Sequence, residues 1–152
     1  MPSRPPSAPR PQAPVTFGRP YVALADLGLV MAGGAVGSLA RWFLAQALSA
    51  IAHPFPWPTY LANVVGSFLL GWLTAALQHR GNDRLRLAAG VGALGGFTTF
   101  STFTVELVTL IQDGSAAMAA LYLLASLSAC VVGAAAGFAV GHARAPRQAP
   151  EE

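Results

Sequence analysis

The sequence predicts an all-α integral membrane protein with four transmembrane helices, the third broken near its middle. Three observations lead there. Hydrophobic residues make up 54% of the 152-residue chain and charged residues only 10%, whereas a soluble domain carries about a quarter charged. Four apolar windows, near residues 23–48, 58–78, 85–111 and 116–141, each reach the roughly 20 residues that cross a bilayer. The third window contains "GGFTTFSTF", residues 95–103, in which paired glycines and hydroxyl side chains interrupt an otherwise greasy helix.

The chain divides in order as follows. Residues 1–20 are rich in Pro and Arg with no apolar core, which predicts a disordered tail and not a signal peptide. Residues 21–143 form the four-span domain, and residues 144–152 are a short polar tail. "SAIAHPFPWP" joins the first two spans, with Trp57 as an interfacial anchor among three prolines. "QHRGNDR" and "QDGS" are short turns. Each span carries small residues, such as "AGGAVGS" in the first and "GAAAG" in the fourth, which let helices approach closely in lipid. A soluble helical bundle would show a charged stripe on every helix, and these windows show none.

All nine basic residues are arginines, and the net charge is +3. With four spans, Arg4, Arg10, Arg19, Arg80, Arg84, Arg86, Arg144 and Arg147 share one side of the membrane; Arg41 lies within the first span. That asymmetry predicts both termini in the cytoplasm. The arginines are scattered over tails and loops, so no basic face for nucleic acid is predicted.

In the third window, Gly95–Gly96 followed by Thr98 and Thr99 reads as a helix break. Irregular backbone at that depth is tolerated only where protein buries it or where it lines a cavity, and freed half-helix ends are places that hold ions. The competing reading is an intact helix whose hydroxyls bond back to carbonyls one turn earlier. Phe100 and Phe103 fall on one helical face, and the positive edge of an aromatic ring offers an anion weak, reversible contact. Asn63 places a costly amide within the second span. Tyr122, Ser126 and Cys130 recur every four residues along the fourth. Together they predict a polar track across the membrane. Asp26, Glu106 and Asp113 read as helix-end or interface groups. Cys130 is the single cysteine, so it makes no intrachain disulfide. No nucleophile–base pair supports an enzyme.

These motifs resemble the CrcB/Fluc fluoride channels: "GGAVGSLARW" at 33–42, "TYLANVVGSFLLG" at 59–71 and "GGFTTFSTF" at 95–103, in that order on four spans. The resemblance covers all but the tails. It implies a passive, selective fluoride channel that relieves fluoride toxicity, built as an antiparallel dimer with two pores. By motif position, Phe100 and Phe103 would present ring edges to fluoride. Asn63 would be a pore-lining donor with Ser101 and Thr102 beside it, and Tyr122 and Ser126 would form the track on the fourth span. The carbonyls of Gly95 and Thr98 would hold a structural sodium (Na+) at the dimer centre, and Arg41 would draw anions to a vestibule. Cys130 stands where the family often has a hydroxyl, and Pro58 where glycine is commoner. The implied partners are fluoride, the lipid bilayer and a second antiparallel subunit, either another copy or an inverted paralogue. The one-sided arginines favour a single orientation, and the pairing stays open. The alternative function is a small four-helix multidrug-type exporter, which would want a carboxylate deep in the first span, where Asp26 sits only at the edge.

Overall fold

The computed structural model describes residues 23–51, 54–78 and 82–143. The two tails, 1–20 and 144–152, lie outside the described residues, as do six of the eight arginines on the basic side. Four helical spans long and apolar enough to cross a membrane are present among the described residues: Leu24–Ala47, Trp57–Leu77, Asp83–Gln112 and Ala116–Ala143. The first two are α1 and α2. The third divides into α3 (residues 83–97) and α4 (Phe100–Gln112), and the fourth is α5.

Local sequence accounts for the ends. After α1 a short 3₁₀ turn, Ser49–Ile51, leads to a proline-rich entry in which Pro56 precedes α2 and Pro58 sits in its first turn. Proline has no amide hydrogen, and the first helical turn does not need one. The amide of Leu85 is capped by the Asn82 side chain at 3.1 Å, which starts α3. At the close of α4, Gly114 adopts φ 76°. Its amide reaches Ile111 O at 3.1 Å, and that of Ser115 reaches Leu110 O at 2.9 Å. This pair of bonds reverses the chain within the "QDGS" turn, and the left-handed φ favours glycine.

Packing runs in two helix pairs, α1 against α3 and α2 against α5, with α4 laid on α5 and touching α2. Backbones meet directly in both pairs. A Cβ on Gly37 would collide with the Ala93 carbonyl, and one on Gly96 with the backbone of Gly34. Gly71 and Gly137 meet α5 and α2 in the same way. Dispersion between closely placed backbones replaces the hydrophobic drive that lipid removes. The interior is accordingly small, with Ala62, Leu73, Ala75, Phe103, Ala119 and Tyr122 as its buried apolar residues. Leu27, Met31, Phe43, Leu124 and Val131 face outward. A greasy exterior over a glycine-rich seam marks a multi-pass membrane protein.

The third span departs from expectation in two respects. Residues Arg86–Leu94 are wound wide, as a π-helix, a form that occurs mostly as short bulges at functional sites. The break also falls later than Gly95–Gly96. Residues Gly95–Phe97 are helical, while Thr98 (ψ 154°) and Thr99 (φ −147°, ψ 125°) are extended. Gly96 is a packing residue, set so close to α1 that a Cβ would collide with the Gly34 backbone.

Candidate functional site

Thr98 N–H still bonds to Leu94 O at 3.0 Å, but both backbone groups of Thr99 need new partners, and α2 provides them. Asn63 Nδ2 donates to Thr99 O at 2.9 Å, and Thr99 N–H donates to Asn63 Oδ1 at 2.8 Å. One amide side chain thus answers both polar groups of a residue that has left the helix, as a neighbouring strand would. This also explains how an amide is kept inside the second span, since its desolvation is offset by two bonds. Asn63 therefore has a holding role beyond the donor role implied for it.

Beyond the break, Thr99 caps α4. Thr102 N–H donates to Thr99 Oγ1 at 3.1 Å, and the hydroxyls of Ser101 and Thr102 lie 3.2 and 3.1 Å from the same oxygen. Ser101 and Thr102 thus belong to a capping cluster. Thr98, Thr104 and Thr109 bond back to Leu94, Phe100 and Val105 carbonyls, so the back-bonding reading holds for those three while the break reading holds for Thr98–Thr99 backbone.

The interruption leaves the carbonyls of residues 95–98 without their helical closure, Gly95 and Thr98 among them. Thr99 N–H, which would bond to Gly95 O in an unbroken helix, is taken by Asn63. Thr102 N–H, which would bond to Thr98 O, is taken by Thr99 Oγ1. Gly95 and Thr98 are the residues whose carbonyls the resemblance assigns to sodium, and hard cations take oxygen ligands of this kind. The Gly96 carbonyl is used differently. Arg41 Nε donates to it at 3.2 Å and Ser38 Oγ lies 3.5 Å away, so this first-span arginine clasps the turn before the break.

A groove of about 350 Å³ runs beside the break. Asn63 and Ser67 line it from α2, Gly95 and Thr98 from the end of α3, Phe100 and Phe103 from α4, and Ser126 and Cys130 from α5. Ser126 Oγ is buried and has no hydrogen-bond partner among the described residues. The two rings are 6.0 Å apart at 34°, but their surroundings differ. Phe103 is 5% exposed and packs on Tyr122 with centroids 5.0 Å apart, whereas Phe100 is 77% exposed.

Tyr122 lies behind Phe103 and is not among the groove-lining residues. Its hydroxyl donates to Glu106 Oε2 at 2.8 Å, and Thr59 Oγ1 donates to Glu106 Oε1 at 2.8 Å. Tyr122 and Thr59 are buried. Glu106 is therefore not the loose helix-end group its sequence position suggests. It joins α2, α4 and α5 and was missed because Thr59 and Tyr122, its donors, are distant in sequence. The available signal was its spacing three residues after Phe103, which puts both on one face of α4. An aromatic cluster, Phe55 with Trp57, Tyr60 and Tyr122 at centroid distances of 4.7–5.4 Å, closes that end of the bundle.

The fold and site define a class: a four-span membrane protein with an interrupted helix bordering a sparsely polar groove. Comparison with known proteins narrows it. The family described as "CrcB-like protein, Camphor Resistance (CrcB)" matches residues 28–138. A protein of Novosphingobium aromaticivorans named "Fluoride-specific ion channel FluC" is 44% identical over 115 residues, 73% of this chain and 91% of the relative. Proteins of the same name from Agrobacterium fabrum and Anaeromyxobacter sp. are 41% and 48% identical over 119 and 114 residues; these cover 76% and 73% of this chain and 95% and 90% of the relatives. The chain belongs to the CrcB/FluC family.

Proposed function

We propose that this chain is a fluoride channel, not an enzyme, and that it lets fluoride trapped in the cytoplasm leave passively. The observation that carries the reading is the Ser126 hydroxyl, buried and unpartnered on the wall of a groove that also bears the Phe100 and Phe103 rings. A small, strongly hydrated anion needs donors to replace its water. It also needs those donors to be neutral and few, so that it can depart again. Hydroxyl hydrogens and ring edges meet both needs. The second hydrogen on Asn63 Nδ2 adds one more donor, and the Cys130 thiol a weaker one. Arg41 supplies positive potential near the approach.

Two chains in antiparallel arrangement complete the reading, giving two pores. In a lone chain the groove and the exposed Phe100 would border lipid, which offers nothing to Thr98, Ser126 or the freed carbonyls. Gly95 O and Thr98 O from one chain are too few to enclose a cation. Doubled by a second chain, they suit a structural sodium whose role is to join the subunits. The chemistry sodium supplies is charge compensation for converging carbonyl dipoles. The second chain is another copy inserted the other way up or an inverted paralogue; where the arginine bias decides orientation, both termini of this chain face the cytoplasm.

The test is fluoride efflux from liposomes containing only this chain. Rapid fluoride release with chloride retained is expected. Equal release of both ions, or of neither when an inverted paralogue is also present, would overturn the reading. Ser126→Ala should slow fluoride without altering the thermal melt, and rigorous sodium removal should dissociate the dimer on a sizing column.

A further inference from the structure

A second pocket lies apart from the groove and shares none of its lining residues. It measures about 320 Å³ and sits where α2 ends, α3 begins and α5 approaches its close. Leu77 and Gln78 line it from the end of α2, Asp83 and Arg86 from the first turn of α3, and Phe138 from α5. Because Gln78 and Asp83 mark the ends of spans, the pocket is at head-group depth.

Its charges are paired but loosely. Arg86 Nη2 and Asp83 Oδ1 are 3.7 Å apart, with side chains 69% and 82% exposed. That separation exceeds a hydrogen bond, and exposed pairs of this kind hold each other weakly. The guanidinium and the carboxylate are both open to better partners. Beside them, Leu77 and Phe138 form an apolar wall, and Phe138 is stacked on His142 at 6.1 Å and 8°.

We propose that this pocket binds the phosphoethanolamine head group of a membrane phospholipid. The phosphodiester oxygens accept from Arg86, whose planar fork suits them. The primary ammonium donates to Asp83, and the glycerol and first methylenes lie along Leu77 and Phe138. The pocket thereby ranks head groups. A trimethylated ammonium has no N–H to give Asp83, and a phosphoglycerol head brings that carboxylate no positive charge. The covalent link between head and acyl chains, lying along the apolar wall, favours the lipid over the soluble head group.

The test uses the full chain, delipidated in detergent, and reads retained lipid by native mass spectrometry. Phosphatidylethanolamine, phosphatidylcholine and phosphatidylglycerol of matched acyl chains are supplied separately, with soluble glycerophosphoethanolamine as a fourth arm. Phosphatidylethanolamine should be retained about two- to fivefold over phosphatidylcholine, the range an exposed ion pair provides. Asp83→Asn should remove that preference, and Arg86→Gln should lower retention of all three lipids. Equal retention of the ethanolamine and choline lipids by the unaltered protein would overturn the proposal, and this comparison needs no variant. A preference that survives in a folded Asp83→Asn protein would overturn it as well. Soluble head group held as firmly as the lipid would overturn the lipid assignment. Fluoride flux does not enter the readout, so the outcome is separate from that of the channel reading.

Discussion

α3 and α4 come from one apolar stretch, yet they are held in place by opposite means. α3 is fixed by the absence of side chains: Gly92 and Gly96 let it settle onto Gly33, Gly34 and Gly37 of α1 until backbones touch. α4 is fixed by side-chain hydrogen bonds, from Asn63 to the residue before it and from Thr59 and Tyr122 to Glu106 within it. Close packing sets position and tolerates no added atom. Polar bonds set orientation and leave room beside them, which is where the groove lies. The difference teaches that the break is an arrangement between helices and not a property of the third span alone.

The contrast can be broken most severely at the seam. Gly37→Leu should drive a side chain into the Ala93 carbonyl, with nowhere for backbone to retreat. A loss of at least about 3 kcal/mol is expected, seen as failure to recover a monodisperse protein. Next comes Asn63→Leu, which keeps the volume but orphans both polar groups of Thr99. It should cost about 2–4 kcal/mol, read as a lower melting temperature in detergent. Tyr122→Phe removes only one donor from Glu106 and should cost about 1–3 kcal/mol by the same measurement. The smallest effect is expected at Gly95→Ala. Its Cβ meets nothing within 4 Å and the residue is helical, so the single-chain fold should be kept or gain up to about 1 kcal/mol. A Gly95→Ala protein as damaged as Gly37→Leu would show that α3 is held by more than its glycine seam with α1.

The sequence made the spans legible because length and hydropathy decide them, and the windows fall within a few residues of the helices. The interruption was legible too, as Gly95–Gly96 followed by Thr98 and Thr99, but which of these four residues leave the helix was not. Glycine is as good at close packing as at breaking a helix, and whether Gly96 does one or the other depends on where α1 lies. The wide winding of Arg86–Leu94 leaves no mark in residue type that we can identify. Phe100, Phe103, Asn63 and Ser126 were singled out from period and polarity, and they do share one groove. Tyr122 was placed with them by its four-residue spacing, but a long side chain ends far from its Cα, and its hydroxyl reaches Glu106 instead. Glu106 itself was hidden because its donors come from two other helices.

The clasp of Asn63 on Thr99 bears on how the chain is made. Unpaired amides and carbonyls do not survive in the hydrocarbon, so the third span has every reason to leave the insertion machinery as one continuous rod. Only when the second span comes alongside does an alternative partner exist for Thr99. The kink and the groove beside it therefore depend on the docking of the second span as well as on the sequence of the third.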